Sequence, residues 1–310
     1  MKIVILDAKT LGKSDLSPIK EFGDFIIYQT TSPDQTLQRC QDADIVLTNK
    51  VVLDAPILSQ LPKLKLICVT ATGTNIIDLE AAHNLGIVVK NVAGYSTNSV
   101  AQHTLTMALN LLSKINYYDH YCKSGEWCKS DIFVHINGGL YELDGKKWGI
   151  IGFGTIGKKV ASLAEAFGSQ ISYTSTSGKN SDNTYPQKPL ETLLRESDII
   201  SIHAPLNETT KNLITQKELA LLKENAILIN VGRGGIVNEE DVAKILESKN
   251  IFFGADVLEI EPMKANHPFL NPNIQDKIIL TPHIAWAYEN ARKKLLEMII
   301  ENIKSFILQK

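Results

Sequence analysis

The sequence predicts an α/β protein made of two doubly wound parallel-sheet units. Three observations carry that prediction. Short β-branched apolar runs alternate with polar segments of helical spacing along the chain, as parallel strands covered on both faces by crossover helices do. The chain has 310 residues, and at about 150 residues per domain that is room for two. The alternation is interrupted once, by a long helical stretch starting at Ser99, and then resumes.

The elements follow in order. Lys2–Leu6 is apolar and β-branched, and Ile45–Leu47 and Leu66–Val69 read the same way. Thr36–Asp42 and Ala55–Gln60 between them have helical spacing, and Ile87–Val89 is a further strand. Ser99 to about Lys123 reads as one long helix, with Ala101, Leu105, Ala108, Leu109 and Leu112 at three- and four-residue steps. It would bridge domains or form a dimer surface. The second unit has strands at Lys147–Ile151, Gln170–Tyr173, Ile199–His203, Ile227–Asn230, Gly254–Val257 and Lys277–Thr281. Lys158–Phe167 and Asn238–Ser248 look helical, and Ala287–Leu308 suits a final helix with Leu295, Met298, Ile299, Ile303 and Ile307 on one side.

Composition excludes several function classes. The 32 Lys and Arg nearly balance 34 Asp and Glu, for a net charge of −2, which argues against broad attraction to nucleic acid or acidic membranes. Four cysteines do not make a disulfide framework: Cys40 and Cys68 are isolated, and Cys122 and Cys128 lack zinc-site spacing. Residues 91–113 are uncharged but carry Asn, Ser, Thr, Gln and His throughout, unlike a membrane span. The first apolar run is broken by Asp7 and is too short for a signal peptide. A soluble, cytoplasmic protein with no metal site is expected.

Gly152-Phe153-Gly154-Thr155-Ile156-Gly157 follows a strand directly and opens a helix. In that context the pattern is a dinucleotide fingerprint. The first glycine permits the tight turn, the second lets backbone approach a pyrophosphate, and the third lets helix and strand pack closely. The helix N-terminus, at Thr155 and Ile156, offers N–H groups to the phosphates. A methyltransferase is the competing use of such a turn. An acid about 20 residues on normally binds the adenine ribose, but Glu165 is too early and Asp182 too late. Ser175 stands where that carboxylate belongs, followed by Thr176, Ser177 and Lys179. Nothing there repels a 2′-phosphate, so both NAD and NADP are candidates.

Three further segments place charged groups just after apolar strands. They are Asn230–Asn238 with Val231 and Arg233, Gly254–Pro262 with Asp256 and Glu261, and Thr281–Trp286 with His283. In open α/β sheets ligands bind outside the carboxyl ends of the strands, so Arg, carboxylate and His would converge beside the cofactor. Together with Thr72-Gly73, Gly94–Thr97, His203-Ala204-Pro205-Leu206, Gly232-Arg233-Gly234, Glu261-Pro262 and Pro282-His283, the chain resembles the D-isomer-specific 2-hydroxyacid dehydrogenase family over nearly its whole length. Tyr95–Thr97 with Val100–Thr104, and His283–Trp286, look most like the glycerate dehydrogenase/hydroxypyruvate reductase branch. Ser175 departs from the family's common acid.

That resemblance implies a flavodoxin-like substrate domain built from residues 1–97 and 284–310, with a Rossmann dinucleotide-binding domain, residues 98–283, inserted into it. A cleft between them would hold the substrate, and a homodimer through Ser99–Lys123 and the following loop is implied. Arg233 would hold the carboxylate of a 2-oxo acid by paired hydrogen bonds, with backbone N–H groups near Thr72 and Gly73 assisting. His283 would be general acid in reduction and general base in oxidation, and an unperturbed imidazole titrates at a convenient pH. Glu261 would orient its ring and stabilise its protonated form. Asp256 would help fix the nicotinamide carboxamide or the His-side network. Thr97, His203, Pro205 and Val231 would contact the cofactor. A nicotinamide-sensing corepressor-like protein is the competing class. A formate-type dehydrogenase is the competitor within the fold, disfavoured by Glu261 where that branch has Gln.

Overall fold

The computed structural model describes residues 1–178 and 182–308. The chain forms two compact units, one of Met1–Ser96 with Trp286–Lys310 and one of Thr97–Ala285.

The first unit holds β1 (Lys2–Ile5), β2 (Asp24–Ile27), β3 (Ile45–Thr48), β4 (Leu66–Val69) and β5 (Val88–Lys90), with helices α1 (Pro33–Cys40), α2 (Ala55–Leu58) and α3 (Leu79–Asn84). All strand pairs are parallel, in the order β2-β1-β3-β4-β5. This is the flavodoxin-like 2-1-3-4-5 sheet. β3 and β4 are buried along their whole length, which is why they read as unbroken apolar runs. Alternation along each strand separates two cores. Ile3, Ile5, Ile45, Leu47 and Leu66 face one side, and Val4, Val46, Ile67 and Val69 the other. Each such side chain contributes about 1.5–3 kcal/mol by burial. α1 starts at Pro33 because Ser32 forms a capping box with Gln35.

The second unit holds α4 (Thr97–Ser113), α5 (Ile115–Lys123), β6 (Lys147–Ile151), α6 (Thr155–Ala166), β7 (Gln170–Thr174), α7 (Leu190–Glu196), β8 (Ile199–Ile202), α8 (Gln216–Ala220), β9 (Ile227–Asn230), α9 (Glu239–Ser248), β10 (Phe252–Ala255) and β11 (Ile278–Leu280). Its parallel sheet runs β11-β10-β9-β8-β6-β7, and Gln187 adds a single parallel bridge to Tyr173 outside β7. The strand order reverses between β6 and β8, the position at which Rossmann sheets open a crevice for dinucleotides. The chain then returns to the first unit as α10 (Glu289–Leu308), whose Leu295, Ile299 and Ile303 pack on Ile3, Ile5 and Ile45.

The structure departs from the sequence reading in four places. Ser99–Lys123 is two helices, broken at Lys114, which takes a left-handed conformation at φ 52. The apolar stripe ends there: ten residues of α4 are buried and none of α5. The strand expected at Gly254–Val257 lies two residues earlier, at β10. The helix expected from Lys158 begins at Thr155. β2 carries no strong signal, because its end residues are exposed and the middle two only half-buried. Cys40 and Cys68 are buried, and burial pushes both thiols up to about 12. Among the described residues no helix is long and apolar enough to cross a membrane. Nor do these residues contain a group of three or more His, Cys, Asp or Glu placed to hold a metal ion.

Candidate active site

The glycine turn sits at the carboxyl end of β6. Gly152 has φ 89, and a Cβ there would stand 2.6 Å from the Ala204 nitrogen. A Cβ on Gly157 would meet the Gly152 carbonyl oxygen at 2.4 Å, so α6 lies hard against the turn. Gly154 is different, with nothing within 4 Å of its Cβ direction. No side chain among the described residues caps the N-terminus of α6, so its first N–H groups, beyond Gly154 and along Thr155 and Ile156, are left for a ligand. This open-sided cradle fits a dinucleotide pyrophosphate.

At the end of β7, the Ser175 hydroxyl is buried and has no hydrogen-bond partner among the described residues. Thr176 is half-buried, and Ser177 is exposed; Lys179 lies outside the described residues. Asp182 does not stand in for the missing acid. It is ion-paired with Lys158 at 3.1 Å, and the Thr184 backbone N–H, followed by Lys158, holds its carboxyl below the usual range. His203, after β8, shares a 2.9 Å hydrogen bond with Ser201, whose hydroxyl also accepts the Trp148 indole N–H at 2.9 Å. Its Nδ1 is buried without a partner among the described residues, and burial pushes its pKa down to about 3, so the ring is neutral. Pro205 is exposed, Val231 is buried, and Thr97 is the first residue of α4.

Arg233 follows β9 on a loop braced by Asn230. The Asn230 amide accepts the Gly232 N–H at 3.1 Å and donates to the Arg233 carbonyl at 2.9 Å. The exposed guanidinium bonds the Gly232 carbonyl at 2.8 Å and has no carboxylate within ion-pair distance among the described residues. The next loop carries Glu261. One of its oxygens accepts the Leu258 N–H at 3.0 Å, and the other lies 2.7 Å from His283 Nδ1. Glu259, the nearer neighbour in sequence to Asp256, takes no part in that pair; its backbone N–H bonds Glu239. His283 itself has φ 56, a left-handed conformation that a side chain beyond glycine adopts at a cost.

Asp256 is only 2% exposed. Its carboxylate accepts the Thr281 hydroxyl at 2.6 Å and the backbone N–H groups of Ile284 and Ala285 at 2.8 and 2.9 Å. These contacts tie Asp256 to the segment that carries His283. Thr72 and Gly73 follow β4 in the other unit. The Thr72 hydroxyl bonds the Val92 carbonyl and Asn91 donates to the Thr72 carbonyl, while the two backbone N–H groups find no acceptor among the described residues. Sequence reasoning missed Asn230 and Thr281 as supports. The available signal was a polar residue closing or following an otherwise apolar strand.

The fold and this edge define a class, a nicotinamide-dinucleotide oxidoreductase with an Arg, a Glu and a His beyond its sheet. Residues 105–285 match the family described as D-isomer specific 2-hydroxyacid dehydrogenase, NAD binding domain. The chain is 35% identical to the glycerate dehydrogenase of Methylorubrum extorquens over 317 residues, 100% of this chain and 97% of that one. It is 32% identical to the hydroxypyruvate reductase of Blautia hydrogenotrophica, with 99% and 97% covered. An acyclic imino acid reductase, Bsp5, solved in complex with NADPH and D-Arg, superposes with a TM-score of 0.87 at 29% identity, with 100% and 98% covered. The chain belongs to the D-isomer-specific 2-hydroxyacid dehydrogenase family, near its glycerate branch. It is a nicotinamide-dependent 2-hydroxyacid dehydrogenase.

Proposed function

We propose that the protein interconverts hydroxypyruvate and D-glycerate, with glyoxylate as a secondary substrate. The observation that carries the site assignment is the 2.7 Å pair between Glu261 and His283. With Nδ1 engaged by a carboxylate, Nε2 is the ring nitrogen left to exchange a proton with substrate. The Arg233 guanidinium holds the substrate carboxylate. When bound, the reduced coenzyme supplies a hydride to the substrate C2. Negative charge then gathers on the C2 oxygen, and His283 gives that oxygen its Nε2 proton. The products are the 2-hydroxy acid, oxidised coenzyme and a neutral imidazole, which regains a proton from solvent. Glu261 stabilises the imidazolium before transfer and fixes the ring's direction.

The Thr97–Ala285 unit binds the dinucleotide in this reading, and the unit containing both chain ends binds substrate. Thr97, Gly152, Gly154, Thr155, Ile156, Gly157, His203, Pro205 and Val231 line the coenzyme. Ser175, Thr176 and Ser177 neither offer a carboxylate to ribose hydroxyls nor repel a 2′-phosphate, so NADH and NADPH both fit. The assembly is a cytoplasmic homodimer through α4, α5 and the apolar stretch beyond, where Ile132, Phe133 and Ile136 are exposed; analytical ultracentrifugation tests it. Loss of reduced-nicotinamide absorbance with hydroxypyruvate, run with NADH and NADPH in parallel, tests the reaction. Turnover is expected, and the rate ratio reads the Ser175 end. Inactivity with both coenzymes and with glyoxylate, alongside undiminished coenzyme binding, overturns the proposal in favour of a sensing protein.

A further inference from the structure

His103 lies on α4, far in sequence from the charged edge, and is 5% exposed. Its Nε2 is 2.9 Å from the Thr281 hydroxyl and 3.7 Å from the Asp256 carboxylate. The directions of these bonds are fixed by chemistry. A hydroxyl has one proton, and the 2.6 Å contact from Thr281 to Asp256 spends it on the carboxylate. The Thr281 oxygen is then an acceptor toward His103, so His103 is the Nε2–H donor. The result is a one-way relay of donors, from His103 through Thr281 to Asp256.

Asp256 grips His283 from both sides. Its backbone carbonyl accepts the His283 N–H at 2.8 Å. Its carboxylate accepts the next two N–H groups, those of Ile284 and Ala285. The residue so held is the one with φ 56, and such a conformation persists only when its surroundings over-determine it. A carboxylate anchored at one oxygen by Thr281 has its plane fixed, and both N–H bonds depend on that plane.

We infer that His103 and Thr281 are positioning residues for His283, acting through the Asp256 carboxylate. This rests on the reading of His283 as the proton donor. Loosening the relay leaves Arg233 and the glycine turn untouched but lets the His283 backbone drift from its productive position. Misplacement on that scale lowers turnover by about 10- to 100-fold. Binding of coenzyme and of substrate carboxylate is spared.

The test compares Thr281→Val, Thr281→Ser, His103→Leu and His103→Gln in the full-length enzyme, with hydroxypyruvate and each coenzyme. The readouts are kcat, KM, coenzyme affinity by fluorescence titration, and thermal midpoint. Thr281→Val and His103→Leu are expected to lower kcat by about 10-fold or more, with KM and coenzyme affinity nearly unchanged. Thr281→Ser and His103→Gln, which keep the hydroxyl and a side-chain N–H, restore most of kcat. The double variant Thr281→Val/His103→Leu is no worse than Thr281→Val, because both cut one relay. An unchanged kcat in Thr281→Val, no recovery in Thr281→Ser, or equal losses in kcat and coenzyme affinity overturns the inference. Should the variants fail to fold, nitrogen-15 NMR of the wild-type histidines decides: His103 carries its proton on Nε2, and the opposite tautomer overturns the relay. His283→Ala, measured in parallel, separates the two levels. Full activity in that variant sinks the proton-donor reading itself, whereas its inactivity beside an unaffected Thr281→Val sinks only the relay.

Discussion

Replacing Gly234 by alanine is the sharpest perturbation the charged edge offers. A Cβ at that position would stand 1.9 Å from the Leu258 carbonyl oxygen, 2.0 Å from its carbon and 2.3 Å from the Glu259 nitrogen. All three are backbone atoms, so no rotamer change relieves the contact. Nonbonded contact is comfortable only near ~3.5 Å, so the Arg233 loop and the Leu258–Glu261 loop must part by about 1.5 Å. The Leu258 N–H is bonded to Glu261, which in turn meets His283, so the displacement reaches the acid–base pair. Overpacking of this kind costs about 1–3 kcal/mol, which lowers Tm by roughly 3–10 °C for a unit of this size. A misplacement near 1 Å lowers kcat/KM by about 100-fold. Gly235→Ala is the internal control. It has φ +78 but its Cβ would meet nothing closer than Leu206 side-chain carbons at 3.8 Å. It therefore carries only the left-handed penalty, about 1–2 kcal/mol, with kcat/KM near wild type. Thermal denaturation and steady-state kinetics on both variants check this. Wild-type Tm and kcat/KM in Gly234→Ala, or an equal activity loss in Gly235→Ala, would refute the reasoning.

Other perturbations have definite expected outcomes. His283→Ala lowers kcat by about 10²- to 10⁴-fold with coenzyme affinity retained, and Glu261→Gln, which keeps the shape but removes the charge, lowers it by about 10²-fold; stopped-flow single turnovers read both. Arg233→Lys does not rescue the KM defect of Arg233→Ala, because an ammonium cannot make the paired bonds of a guanidinium; KM for hydroxypyruvate checks it. His203 predicts an acid weakness. Its folded pKa of about 3 lies below the ordinary value near ~6.5, so between those values the unfolded chain binds a proton that the folded chain refuses. The stabilisation is complete above the upper value and is lost as pH falls toward the lower one, at up to about 1.4 kcal/mol per pH unit. His203→Asn removes that slope, and urea denaturation at about pH 7 and about pH 5 measures it.

What the sequence made legible follows burial. β3, β4, β8 and β9 are buried end to end, so their apolar runs could be placed within a residue. β10 could not, because Ile251–Leu258 is one nearly continuous apolar stretch in which any four-residue window reads as a strand. The helix break at Lys114 was hidden for a different reason. Helical spacing runs on through Ser113, and the corner depends on contacts that local sequence does not carry: Asn110 with Asn116, and Lys114 with the Asn137 carbonyl. At the site, Gly152, Arg233, Glu261 and His283 stand out because each follows a strand. His103 does not, since its partner Thr281 is 178 positions away and on another element.

The supports obey a rule that position alone explains. Parallel strands end side by side about 4.8 Å apart, so a residue one or two steps past one strand's end faces the first free N–H groups beyond its neighbour's end. A buried acid there can gather those N–H groups and fix the neighbouring loop. Asp256, just after β10, does this for the loop after β11 through Ile284 and Ala285. Asp7, two residues after β1, does it for the loop after β3, accepting the N–H groups of Asn49 and Lys50 at 3.0 and 2.7 Å. Burial raises the Asp7 carboxyl, and the backbone N–H groups of Asn49, Lys50 and Val51 pull it back down by favouring its charged form. The same device thus recurs in two sheets without evident sequence similarity. In one it fixes the loop that bears His283. In the other it fixes residues 49–51, which lead into Leu53, and Leu53 pairs with Ile77 just beyond Thr72 and Gly73. A loop whose backbone N–H groups are gathered by the neighbouring strand's acid is held in place by the sheet, which is how the loop bearing His283 keeps the precision that proton transfer requires.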